Sequence, residues 1–196
     1  MAKIVTGKNH SKKEVILKKA ATLFKTKSFS ASSMRELADV VGVEAPSLYN
    51  HIGSKSELLQ DICFKIGSQF TEQIEQISTS DKSTVAKIEA VIRFHIEMMA
   101  ENFDEVYVAN HEWKQLEEPY LSNFLNQRKL YEGRLVEIVE QGIQKKELKN
   151  IHPHVAVLTI LSAVRGLEFW QRHKKNLSEA ELENDMINHL LKGLIK

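Results

Sequence analysis

Four times along this chain a serine is followed three residues later by a glutamate: Ser11–Glu14, Ser33–Glu36, Ser54–Glu57 and Ser178–Glu181. This is the capping-box pattern. The serine hydroxyl accepts from a free amide of a helix's first turn, and the carboxylate reaches back to another. Pro46, Pro119 and Pro153, the only three prolines, also sit where a helix can begin, at the position that needs no amide donor. Between these marks apolar residues recur with helical period, and no alternating strand run appears. The expectation is an all-α chain of about nine helices.

Those helices are expected at 11–27, 33–41, 45–51, 55–77, 84–101, 104–116, 119–145, 153–173 and 179–195. The first three form a compact N-terminal group, and the Gly53-Ser54 pair starts the long fourth. The domain boundary is expected there, with a head at 1–56 and a helical-bundle body at 57–196. No stretch approaches 18 consecutive apolar residues, so no membrane helix is expected. The polar, basic first 13 residues do not read as a secretory signal. Cys63 stands alone, which excludes a disulfide framework and fits a reducing cytoplasm.

A net charge of +1 would suggest no taste for nucleic acid, but the charge is unevenly spread. Residues 1–56 carry ten Lys or Arg against four Asp or Glu, a surplus of six, and the remainder carries a deficit of five. A basic end is the footprint of phosphate contact, although a solvated lysine-rich helix face gives the same count.

Residues 33–52 carry the most specific pattern. A short helix with Ala38 inward ends at Gly42, and a second holds Leu48 six residues later. A small residue is needed where two helices cross closely, and Gly42 can take positive φ without a Cβ penalty. Val43 and Leu48 then close a small core. This is the plan of a helix-turn-helix, whose second helix enters the DNA major groove.

The segment from Lys13 to Leu59 resembles the DNA-binding domain of the tetracycline-repressor family. The matching residues are Ile16-Leu17, Ala20-Ala21, Leu23-Phe24, Phe29, the run Ser32 to Ala38, Gly42-Val43, Pro46 to Tyr49, His51, Ser54-Lys55 and Leu58-Leu59. Ser28 departs from the pattern, standing where a glycine usually precedes the phenylalanine. Ile52 and Ser56 depart too, where a Phe and an acid are common. The resemblance implies that Tyr49, His51 and Lys55 contact phosphate. It implies that Ser32 or Ser33 caps the second helix and touches phosphate, and that Arg35 reaches the backbone or a groove edge. Glu44, Ala45 and Ser47 then open the recognition helix and read base edges; a carboxylate such as Glu44 can accept from cytosine N4.

In that family the body binds an effector and dimerises. Leu158, Ser162, Arg165 and Phe169 on one C-terminal helix, with Met186, Leu190 and Leu194 on the next, suit a two-fold four-helix interface. Intrachain core would use the same faces. A homodimer is expected because two recognition helices are needed to span two half-sites. His95, Met98, Met99, Phe103, Tyr107, His111, Trp113, Phe124, Arg128, Tyr131, Phe169 and Trp170 mix aromatic, soft and hydrogen-bonding character. That mixture suits a small, largely apolar effector with a polar handle.

Glu112-Trp113, Leu116, Arg128, Tyr131-Glu132, Gly142, Gly166 and Phe169-Trp170 with Leu177-Ser178 resemble a subgroup of regulators of fatty-acid and aromatic-acid degradation. That resemblance implies an acyl-CoA effector, with Arg128 near its phosphates. The alternatives are a regulator sensing lipophilic cations, with Glu97, Glu101 or Glu112 in the pocket, and a helical enzyme with an incidental head. No cofactor and no metal site is expected: His152-Pro-His154 lacks a metal-binding spacing. The partners expected are operator DNA, a small effector and a second copy of the chain.

Overall fold

In a computed structural model, the structure describes residues 11–173 and 177–195; Lys3 and Lys8 of the basic head lie outside them. The helices are α1 (Lys12–Lys27), α2 (Met34–Val41), α3 (Ala45–Tyr49), α4 (Lys55–Thr79), α5 (Thr84–Glu101), α6 (Phe103–His111), α7 (Tyr120–Gln144), α8 (Pro153–Arg165), α9 (Leu167–His173) and α10 (Glu179–Leu194). The expected order of helices is observed, with two local changes. The sixth ends at His111 and continues as a 3-10 turn, Trp113–Gln115. The eighth is divided at Gly166 into α8 and α9.

Three of the four serine–glutamate pairs form full capping boxes: Ser11 with Glu14, Ser33 with Glu36, and Ser178 with Glu181. The fourth is a variant. Ser54 accepts from the Glu57 amide at 3.0 Å, but the Glu57 carboxylate reaches one residue further and takes the Gly53 amide at 2.8 Å.

The chain forms two compact units, residues 1–68 with 104–126, and residues 69–103 with 127–196. In the first, α1 turns Ile16, Ala20, Ala21, Leu23 and Phe24 inward, and α1 packs on α2, which packs on α3. Asp104 at the start of α6 accepts from Thr22 Oγ1 at 2.6 Å and pairs with Lys25. Glu105 beside it is buried and pairs with Lys65 at 2.8 Å.

In the second unit α5 is central and packs on α8, α9 and α10. Its core stripe is Ile88, Val91, Ile92, Ile96, Met98 and Met99. The Glu147 carboxylate accepts from the Thr84 amide at 2.6 Å, satisfying one free donor at the start of α5. Gly142 is required by close packing here, because a Cβ on it would lie 2.4 Å from Thr84 Cγ2 and 2.8 Å from Leu148 Cδ1. Leu148 forms an isolated antiparallel bridge with Ile195.

Candidate functional site

The turn between α2 and α3 has the geometry that the sequence asks for. Gly42 ends α2 in the left-handed region at φ 83°, and its amide bonds back to the Ala38 and Asp39 carbonyls. Ala38, Val43 and Leu48 are all buried, and Leu48 is fully so. This small core holds α3 rigidly against α2.

The outward side of this helix pair carries the expected contact residues. Arg35, Glu44, Tyr49 and His51 are exposed, while Ala45 and Ser47 are half-buried. Tyr49, at 52% exposure, leaves about half of a large aromatic residue open to solvent, at the end of the helix meant for a groove. Glu44 is the N-cap of α3 by its backbone, yet its carboxylate makes no capping bond, so it is free to face outward.

Two of the residues expected to contact DNA also bond within the protein. Ser32 is 4% exposed and its hydroxyl donates to the Ser28 carbonyl at 2.6 Å. Ser33 is the cap, accepting from the Glu36 amide. Lys55 donates from Nζ to the Phe29 carbonyl at 2.9 Å and the Ser32 carbonyl at 2.8 Å, and its ammonium lies 4.4 Å from the Phe29 ring centroid. Sequence matching found the residue but not this local binding partner, which depends on how the α1–α2 turn comes back against α4.

The same turn holds the departure at Ser28. Its backbone sits at φ 71°, ψ 157°, a region open essentially to glycine alone. Serine is therefore strained where a relative with glycine is relaxed.

Pairing also thins the basic surplus. Lys13 bonds Asp61 at 2.7 Å, Lys25 pairs with Asp104, and Lys27 pairs with Glu36. Lys27 and the Ser33 cap hold the Glu36 carboxyl down at about 2. The side chains of Lys12, Lys18, Lys19 and Arg35 are exposed with no ion-pair partner among the described residues. Those four carry the uncommitted positive charge among the head's described residues.

The expected effector residues divide between the compact units. Tyr107, His111, Trp113 and Phe124 belong to the first unit; His95, Met98, Met99, Phe103, Arg128, Tyr131, Phe169 and Trp170 belong to the second. His111 is exposed and stacks on Tyr107 at 4.3 Å. Phe124 is buried against Phe64 at 5.9 Å.

In the second unit one group comes together. His95 Nε2 and the Tyr131 hydroxyl are 2.8 Å apart. Phe70 packs on both rings, at 4.8 Å and 5.8 Å, and on Phe94 at 5.1 Å. Sequence reasoning missed Phe70 and Phe94; the helical repeat Ile66, Phe70, Ile74, Ile77 was the available signal. Burial holds the His95 imidazole down at about 3, with the charge of Arg165 adding to the effect. Burial pushes the Tyr131 hydroxyl up. Both groups are thus neutral through the whole physiological range.

Each of these rings lies on the core stripe of its helix. On α5 the neighbours Val91, Ile92, Ile96 and Met99 are sealed from solvent; on α4 so are Ile66 and Ile74, and on α7 Leu135. Phe70, Phe94, His95 and Tyr131 nevertheless all retain accessible surface.

The C-terminal helices leave an apolar face bare. Val155, Leu158 and Phe169 are 58%, 64% and 56% exposed, with exposed Ser162 and Arg165 between them. Phe169 therefore stands on the outer face, whereas Trp170 is buried and donates from Nε1 to the Leu177 carbonyl at 3.2 Å. Met186 and Leu190 are half-buried. Leu194 is turned into its own chain at 7% exposure, with its carbonyl bonded to the Lys149 amide, so it leaves the expected interface.

Among the described residues no helix is long and apolar enough to cross a membrane. Residues 16–62 match the family of bacterial regulatory proteins of the tetR type, and residues 81–194 match the tetracyclin repressor-like C-terminal domain. The transcriptional repressor KstR2 of Mycolicibacterium smegmatis is 23% identical over 134 residues, 68% of this chain and 65% of that protein. KstR2 of Mycobacterium tuberculosis is 22% identical over 197 residues, 98% and 97% of the two chains. Its solved structure, described as a ketosteroid transcriptional regulator, superposes with a TM-score of 0.89 over 98% of this chain and 99% of that one, at 20% identity. AibR, solved with isovaleryl coenzyme A and operator DNA, superposes with a TM-score of 0.79 at 24% identity, over 90% and 96%. The chain belongs to the tetracycline-repressor family of bacterial regulatory proteins and is a DNA-binding transcriptional regulator.

Proposed function

We propose that this regulator is a cytoplasmic homodimeric repressor, released from its operator when a largely apolar effector enters the body beside His95 and Tyr131. The observation that carries the reading is the group of four rings on sealed core stripes that keep accessible surface. Surface that survives in such a position lines a space inside the bundle, and a mostly aromatic space with few polar groups is the usual make-up of a small-molecule site.

The head at 1–56 does the binding to DNA. Arg35, Tyr49 and His51, with the Ser33 cap, take phosphate, and Glu44, Ala45 and Ser47 meet base edges. Ser32 and Lys55 brace this surface from behind. The bare stripe of Val155, Leu158, Ser162, Arg165 and Phe169, extended by Met186 and Leu190, is the face that pairs with a second copy.

Linkage fixes what the effector must do. It releases DNA only if it binds the DNA-free conformation better, and the operator weakens effector binding by the same factor. An acyl-CoA is the favoured class, because AibR was solved with isovaleryl coenzyme A. Arg128 is half-buried and is suited to meet a phosphate of such a ligand. A lipophilic cation fits less well. Of the acids that such a ligand would call for, Glu97 and Glu101 are exposed, and Glu112 belongs to the first compact unit and not to that of His95 and Tyr131.

Fluorescence polarisation of labelled operator tests the reading. A panel of short, branched and aromatic acyl-CoA thioesters is added to the complex, with lipophilic cations as the rival panel. Release by a thioester at micromolar concentration is the expected result; release by cations alone overturns it.

A further inference from the structure

The His95–Tyr131 pair sits at a cost. Two polar groups placed among Phe70 and Phe94 must give up hydration, and a pair of apolar side chains of similar shape would pack there without that loss. One hydrogen bond between them does not use their capacity. An imidazole has two ring nitrogens and a phenol can both donate and accept. Nδ1 of His95 takes part in no hydrogen bond among the described residues, and the Tyr131 hydroxyl has no partner there besides His95. Gln69 stands immediately before Phe70 on α4, and its side-chain oxygen is buried with no hydrogen-bond partner among the described residues. Unused capacity on residues that retain accessible surface marks a place where something else completes the bonding.

The surroundings also select against charge of either sign. Burial disfavours the imidazolium of His95, which is a cation, and the phenolate of Tyr131, which is an anion. A charged ligand group placed beside them would meet the same burial penalty, which the charge of Arg165 deepens for a cation and partly offsets for an anion. A plain hydrocarbon would avoid the penalty but leave the donors and acceptors unmet.

Resting on the reading that this space receives the effector, we infer that the part of the effector buried here is an apolar ring or chain bearing an uncharged hydroxyl or carbonyl group, held by His95 and Tyr131. The pair is then a specificity device. It distinguishes oxygenated from plain hydrocarbon skeletons, while any charged portion of the effector lies elsewhere.

Three probes of one shape test this: naphthalene, 2-naphthol and 2-naphthoate, each titrated into the full-length protein by ligand-observed NMR or calorimetry. Expected is a 2-naphthol affinity about tenfold or more above both others, as one well-placed neutral hydrogen bond warrants. Tyr131→Phe keeps the ring and removes only the hydroxyl. It should collapse the naphthol-to-naphthalene ratio toward one and leave naphthalene binding as it was. His95→Gln, which keeps a neutral donor and acceptor, should retain part of the preference. Equal binding of naphthol and naphthalene overturns the inference. So does tightest binding by 2-naphthoate, binding by none of the three, or a ratio that survives Tyr131→Phe. Operator release by thioesters is read separately. If thioesters release DNA while 2-naphthol and naphthalene bind equally, the repressor reading stands and this one falls; the reverse pattern overturns the thioester assignment and leaves this inference standing.

Discussion

The head and the body of this regulator handle polarity in opposite ways. The head keeps its charges at the surface and pairs several of them, Lys27 with its own Glu36, Lys13 with Asp61 on α4 and Lys25 with Asp104 on α6. Its contact residues are exposed side chains on short helices whose caps are coded within a few residues. The body instead buries a neutral polar pair among aromatics on three separate helices. A surface meant for a charged polymer can be written in contiguous sequence, whereas an enclosed site is written in long-range packing.

The difference can be tested most severely through the core of the head. Leu48 is fully buried and closes α3 on α2. Leu48→Ala should cost about 2–5 kcal/mol. If the head is held by its own small core, hydrogen exchange will speed up in 33–52 and operator binding will vanish. Protection in α5 and α8 should persist. Uniform loss of protection would break the separation.

How much was legible follows the same line. The α2–α3 turn, its glycine, the caps and the exposed Tyr49 could all be read from residues 33–52 because each signal is local. The bracing of Lys55 could not, since its acceptors are carbonyls 26 and 23 residues earlier. In the body, His95 and Tyr131 were named but scattered among ten other candidates. Periodicity says which face of a helix is inward, not which inward residues meet. Leu194 shows the same limit, because an apolar face looks alike whether it covers its own chain or a second copy.

The buried pair makes a pH prediction with a defined sign. His95 titrates near 6.5 when unfolded and near 3 when folded. Between those values the unfolded chain binds the extra proton, so stability falls as pH drops from 6.5 toward 3 and is flat above that window for this group. Glu36 adds a similar loss only below about 4.5. Denaturant midpoints from pH 7 to 5, compared between the unmodified protein and His95→Phe, therefore isolate His95. His95→Phe should flatten the curve there, and an unchanged slope would show that the imidazole protonates in the folded state.

Two glycine positions give smaller effects of opposite sign, one in each unit. Gly142→Ala in the body forces a methyl against Thr84 and Leu148 and should cost about 1–3 kcal/mol. Ser28→Gly in the head relieves a backbone that serine tolerates poorly and should stabilise by about 1 kcal/mol. Thermal melts measure both. A destabilised Ser28→Gly would mean that the hydroxyl contributes more than the backbone strain costs.

The smallest expected effect concerns Lys55, and it sharpens what counts as the DNA face. An ammonium that meets phosphate releases counterions, so its removal lowers the salt slope of binding by about one. An ammonium that braces two backbone carbonyls changes affinity by loosening the helix pair and leaves the slope alone. Lys55 has two of its three donors on the Phe29 and Ser32 carbonyls and its face against an aromatic ring. Arg35 is exposed with no ion-pair partner among the described residues. Operator affinity measured across a salt series for Lys55→Met and Arg35→Ala should then separate the two roles. The first variant should lose affinity at an unchanged slope, and the second should lose about one unit of slope. Equal slope losses would place the Lys55 ammonium on phosphate, and the boundary between contact and support would move outward to include it.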